Sequence, residues 1–113
     1  MLPEAHAVEK AALAKAHGDV GAIFMAMMGK APQSVYHVGL QGNRILFALA
    51  ELVIGWRLVV NAKAAVGKDD PFYKGKLAAV RFYARNVLPG IGLARQLIEQ
   101  SELELMDVPD KAF

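Results

Sequence analysis

Apolar residues recur along this chain in steps of three and four, the period of one face of an α-helix. Two clusters of turn-forming residues interrupt them. The first segment predicts a helix from about Pro3 to Lys30. Pro3 suits a first turn, where its missing N–H costs nothing, and Glu4 favours the positive end of the helix dipole. Leu13, Ala16, Val20, Ile23 and Met27 share one stripe. Gly18 and Gly21 weaken the interior by about 1 kcal/mol each, and Asp19 offers a cap should the chain break there. The stripe stays in phase across the glycines, so one continuous helix is expected.

The run Gly29 to Ser34 reads as a turn, with Pro32 preventing the helix from resuming and Ser34 placed to cap the next one. The second helix is expected from about Val35 to Val66. Its centre is apolar on nearly all sides, including Ile45, Leu46, Leu49, Val53, Trp56 and Val60. Such a helix is ordinarily buried by neighbours on several sides. A lone three-helix bundle would leave part of it wet, which points to docking onto something larger or onto a second copy. The run from Ile45 to Val60 would span about 24 Å as a helix, against about 30 Å of bilayer hydrocarbon. Glu51 and Arg57 interrupt it, so a buried central helix is favoured over a membrane span.

Gly67 to Pro71 forms the second turn. Asp69 or Asp70 is placed to cap the third helix, with Pro71 at its first position. That helix is expected to run to about Gln100. Tyr73, Leu77, Val80, Ala84, Val87, Ile91, Ala94 and Ile98 step by four and three throughout, a heptad seam. The opposite face carries Lys74, Arg81, Arg85 and Arg95. Pro89 cannot donate to the Arg85 carbonyl and should kink the helix, in a region softened by Gly90 and Gly92. In the tail, Ser101 and Glu104 have capping-box spacing, which predicts a short turn through Met106. The fold class is therefore all-α: an antiparallel up-down bundle of three long helices plus a short C-terminal helical turn, with residues 1–113 forming a single domain.

Composition narrows the function. The chain is 55% hydrophobic, with a formal charge of +2 and no cysteine. The charge is too small and too dispersed for a nucleic-acid binder. Disulfides and thiolate metal sites are excluded, and a reducing, cytoplasmic setting fits. The N-terminus does not read as a signal peptide.

Candidate chemistry is thin. His6 and His17 fall on nearly the same helix face but are too far apart along the axis to share a metal. His37 lies near a helix start, and no His pair has metal-binding spacing. Glu51, if buried without partners, would be a candidate general base. The favoured reading is an ion pair with Arg81 or Arg85. The pairs Gly39/Gly42 and Gly90/Gly92 lack the strand and lysine of a phosphate loop. The basic face of the third helix reads as solvated rather than phosphate-binding. Met25, Met27 and Met28 read as adaptable core filling.

Three strings carry a resemblance: ELVIGWRL from Glu51 to Leu58, DPFYKGKLAAVRFYARNVLP from Asp70 to Pro89, and LMDVPDKAF from Leu105 to Phe113. Together they resemble the extra C-terminal domain of a subfamily of bacterial acyl-CoA dehydrogenases, which includes enzymes acting on methylthio-propionyl-CoA. The resemblance implies a parent flavoenzyme that uses FAD to oxidise an acyl-CoA to the enoyl-CoA. Flavin, thioester and catalytic glutamate would belong to preceding domains, so no catalytic, cofactor or metal residue transfers to this chain, and Glu51 is not that glutamate. The isolated chain is expected to be inactive, with no cofactor of its own. Its partners would be the dehydrogenase body or a second subunit. Trp56, Arg57, Phe82 and Arg85 are the interaction candidates. The competing reading is an independent helical adaptor or homodimer. A third is a helical enzyme or small-ligand binder using Glu51 and the arginines.

Overall fold

The computed structural model describes residues 7–113. The expected helix start at Pro3 and Glu4, and His6, lie outside the described residues. Four α-helices follow in order: α1 (Ala7–Lys30), α2 (Tyr36–Ala65), α3 (Pro71–Asn86) and α4 (Pro89–Glu99). Two short 3₁₀ turns, Glu104–Asp107 and Asp110–Ala112, complete the chain, and there is no strand among the described residues. As expected, α1 runs unbroken through Gly18 and Gly21.

The turns use the predicted chemistry. Ser34 Oγ accepts from the Tyr36 N–H at 3.3 Å. Asp70, rather than Asp69, caps α3: its Oδ1 accepts from the Phe72 N–H at 2.9 Å, with Pro71 at the first helical position. Gly67 adopts φ +83°, a left-handed conformation that closes α2 and favours glycine.

The expected third helix is two helices. Pro89 leaves the Arg85 carbonyl without its usual donor, and the backbone does more than kink. The Val87 and Leu88 N–H groups both donate to the Tyr83 carbonyl, and Gly90 and Ile91 bond only three residues back, to Val87 and Leu88. Helix α3 therefore stops at Asn86, and Pro89 opens α4 at the position where its missing N–H is harmless. The seam survives the break: Val80, Ala84, Ile91 and Ile98 are buried, and Tyr73, Leu77, Val87 and Ala94 are half-buried.

The core forms where α1, α2 and α4 meet, around Ile23, Ile91 and Ile98, with Ala16, Val20, Met27 and Leu88 beside them. A second, smaller cluster joins Ala62 of α2 to Val80 of α3, with Leu58, Val59 and Leu77 packed against it. On the inner side of α2, Gln41, Ala48, Gly55 and Ala62 recur every seven residues and are all buried. Small residues there let α3 and α4 approach closely. A Cβ at Gly55 would lie 3.0 Å from Leu88 Cδ2 and 3.1 Å from Tyr83 Cε1. At the same point the Tyr83 hydroxyl donates to the Glu51 carbonyl at 2.6 Å. One tyrosine thus packs its ring at the glycine and bonds the backbone one helical turn earlier. Burial, and secondarily the Glu51 carboxylate, push the Tyr83 phenol up from its ordinary value.

Asp19, weighed from the sequence only as a possible cap, is a buried interhelical acid. It lies 2.7 Å from Lys15 Nζ and 3.0 Å from Arg95 Nη1, and Arg95 Nε reaches Glu99 at 2.9 Å. Burial raises the Asp19 carboxyl, but the hydrogen bonds from Lys15 and Arg95 outweigh it and hold the group below the usual carboxylate range. This ties α1 to α4. At the far end His37 Nδ1 lies 3.0 Å from Ser101 Oγ, and Lys30 Nζ donates to the Ser101 carbonyl at 3.3 Å. The predicted capping box at Ser101 is consequently not formed. Its hydroxyl turns inward to His37, and Glu102 accepts from the Glu104 N–H instead, at 2.8 Å.

Two outcomes follow for stability. Gly55→Leu should cost about 1–3 kcal/mol by overpacking the site of Tyr83 and Leu88, read as a lowered thermal midpoint; an unchanged midpoint would remove the close approach as a determinant of the fold. Asp19→Asn should cost about 1–2 kcal/mol near neutral pH. The figure is modest because the Lys15 and Arg95 side chains remain 70% and 41% exposed. Since the folded Asp19 is depressed, its contribution is present above the unfolded carboxylate pKa and lost as pH falls through the folded one. The substitution should therefore flatten the acid limb of the stability–pH profile in chemical denaturation.

Candidate interaction surface

A helix packed against two neighbours hides one stripe, and α2 is apolar well beyond that stripe. Contrary to the expectation of a buried central helix, most of its apolar surface is open. Leu46, Phe47, Val53, Ile54 and Trp56 are each more than half exposed. By length and composition α2 is apolar enough to cross a membrane, yet only 17% of its most apolar window is buried within the chain. The reason lies in the layout. Helix α1 covers one flank of α2, and α3 and α4 together cover one more, leaving the outer side uncovered. The chain is correspondingly elongated, 64 × 27 × 16 Å with a radius of gyration of 18.2 Å, where about 13 Å is usual for this length. It exposes 7569 Å², roughly 1,500 Å² more than a typical folded monomer of its mass.

The exposed apolar residues fall on two sides of α2. Along the α1 side, Leu13, Ala14 and His17 of α1 and Leu52, Val53 and Trp56 of α2 enclose a groove of about 440 Å³, with Lys10 at its margin. On the other side, Phe47, Ala48, Val87, Gly90 and Ala94 line an open cleft of about 680 Å³ between α2 and the α3–α4 junction, which also carries Arg44, Glu51 and Asn86. Arg44 is engaged by Gln41 Oε1.

The four interaction candidates, Trp56, Arg57, Phe82 and Arg85, are all exposed. Trp56 alone among them lines the apolar groove. Glu51 is half-buried on the cleft wall, and neither Arg81 nor Arg85 joins it in an ion pair; the ion pairs between described residues centre on Asp19 and Arg95. The register of α3 sets Tyr83 opposite Glu51, and its hydroxyl donates to the Glu51 backbone carbonyl rather than to the carboxylate. Met25 and Met28 are largely exposed, and only Met27 fills the core. His17 is exposed beside the groove and His37 is bonded to Ser101. Among the described residues no group of three His, Asp or Glu side chains could hold a metal.

The sequence pointed to part of α2 being left wet, as it is, but it did not mark Asp19 as an interhelical acid. The spacing of Asp19 four residues after Lys15 was a visible signal. The partner on α4, seventy-six residues away, was not.

Residues 3–109 match the family described as acetyl-CoA dehydrogenase C-terminal like. The chain is 37% identical to the broad-specificity linear acyl-CoA dehydrogenase FadE5 of Mycobacterium tuberculosis, over 93% of this chain and 20% of that protein. It is 33% and 32% identical to two butyryl-CoA dehydrogenases of Syntrophomonas wolfei subsp. wolfei, over 63% and 67% of this chain and 13% and 14% of theirs. The chain thus spans a fifth or less of the curated relatives it matches. The strings around Glu51–Gly55 and Tyr83–Leu88, which carried the resemblance, are the two sides of the Tyr83 contact. The chain belongs to the acetyl-CoA dehydrogenase C-terminal-like family, the C-terminal domain of acyl-CoA dehydrogenases.

Proposed function

We propose that this chain acts as a single non-catalytic accessory domain of an FAD-dependent acyl-CoA dehydrogenase that oxidises an acyl-CoA to the enoyl-CoA, packing on the dehydrogenase body or on a second subunit. The observation that carries the reading is the apolar surface of α2, left open in a family member that covers only a fifth of its relative's length. An isolated exposed patch of this extent marks an interaction site. The relatives' names support the chemistry of the parent. A parent of the methylthio-propionyl-CoA type is the finer assignment, supported by the strings from Asp70 to Pro89 and from Leu105 to Phe113. A cytoplasmic location belongs to the same reading. So does an antiparallel up-down path of the helices, supported by the two five-residue turns and by the contacts of Ser101 with both Lys30 and His37.

The residues present do not fit a flavin. The 680 Å³ cleft is an open trough, its arginine is engaged by Gln41, and the Glu51 carboxylate on its wall would repel a diphosphate. The domain's contribution is therefore assigned to assembly. Purified alone, it should be colourless and without dehydrogenase activity, and a yellow preparation with bound FAD would overturn the assignment. In a full-length dehydrogenase that carries this domain, deleting it should change oligomer size or lower the melting temperature by several degrees, with a smaller effect on the chemical step. Unchanged assembly and melting temperature with loss of turnover alone would refute the reading. Comparing kcat/KM for methylthio-propionyl-CoA and butyryl-CoA in that enzyme tests the subfamily.

A further inference from the structure

The outer side of α2 has a register of its own. Leu46, Leu49, Val53, Trp56 and Val60 step by three, four, three and four, and all five are exposed. That spacing keeps one apolar line facing a second helix over several turns. It runs beside the inner line Gln41, Ala48, Gly55 and Ala62, so α2 carries two heptad registers, of which the inner one is the buried one among the described residues. Lys63, next in the outer step, ends the line with a charge.

The surroundings select the occupant. Helix α1 raises a wall beside Val53 and Trp56, making a groove rather than a convex face at the middle of the seam. Lys10 and His17 of α1 line the groove, while on α2 Arg57 stands four residues after Val53 and Lys63 three after Val60, beside the seam in helical register; among the described residues no carboxylate lines the groove. We propose that the seam from Leu46 to Val60 and its groove against α1 dock an amphipathic α-helix whose apolar stripe is flanked by carboxylates. Which polypeptide supplies the helix rests on the function proposed above; its chemistry does not. A bilayer suits the surface less well. Immersing α2 would also immerse Arg44, Glu51 and Arg57, and its inner side is already fastened by Tyr83.

Trp56 is the only tryptophan and stands in the groove, so its emission reports occupancy. The full chain would be titrated with two tryptophan-free synthetic helices sharing one leucine seam, flanked by glutamates in one and by lysines in the other. The acidic helix should shift Trp56 emission to the blue and bind at least about tenfold tighter than the basic one at low salt, with the gap narrowing as salt rises. Arg57→Glu should erase most of that preference. Val53→Asp should abolish binding with an unchanged far-ultraviolet circular dichroism spectrum. Both positions are exposed, and the charge-reversal variant stands on its own should Val53→Asp disturb folding. Equal binding of the two helices, or binding of neither, overturns the proposal. So does a larger emission shift with phosphatidylcholine–phosphatidylglycerol vesicles than with the acidic helix, which would indicate lipid. Concentration-dependent dimerisation in sedimentation that closes Trp56 to the peptide overturns it in favour of a second copy. The titration uses this chain alone, so acidic-helix binding alongside an unaltered dehydrogenase assembly would sink only the accessory-domain reading.

Discussion

Two helices packed against a third cover one sector of its circumference and leave the rest to solvent or to another molecule. Helix α2 is thirty residues long and apolar well beyond that sector. Every large feature of this chain follows from how that mismatch is handled. The inner stripe is thinned to Ala48, Gly55 and Ala62 so that neighbouring helices sit close, and bulky residues are displaced outward. The molecule is long and thin because its core is a line of contacts between helices rather than a centre enclosed on all sides.

Close packing along that line has to be held in register, and polar groups do it. Tyr83 bonds the Glu51 carbonyl and lays its ring at Gly55, fixing α3 against α2. Asp19 with Arg95 fixes α4 against α1, and Ser101 binds both His37 and Lys30 at the far end. Each joins two elements at one spot, and each satisfies polar groups that burial would otherwise penalise. The break before Pro89 belongs to the same arrangement. By ending α3 and restarting as α4, the chain follows α1 and α2 with one continuous apolar seam.

Membership of an acyl-CoA dehydrogenase domain family gives the open surface a context. The chain covers a fifth of the FadE5 relative's length, and on the function proposed above the open apolar surface is what the rest of such a dehydrogenase would cover. Among the described residues, buried Asp19 is neutralised by two cations, and the half-buried Glu51 stands on an open cleft rather than in an enclosed pocket.

Local chemistry and periodicity in the sequence determined α1 and α2, both turns, a cap at Asp69 or Asp70 with Pro71, the continuity of α1 through its glycines, and the seams that became the core of α1, α3 and α4. These depend on residues within a turn or two of each other, so spacing alone carries the information. The family strings were legible for the same reason. Tertiary structure decided the rest. Arg95 meets Asp19 and Tyr83 meets Glu51 across 76 and 32 residues, and no spacing rule reaches that far. The sequence marked Pro89 as a kink, but a full break depended on where Leu88 could donate once packed. Above all, a helix apolar all round looks the same in sequence whether its neighbours cover it or not. Only the placement of α1, α3 and α4 shows which side of α2 is spent on this chain and which remains open.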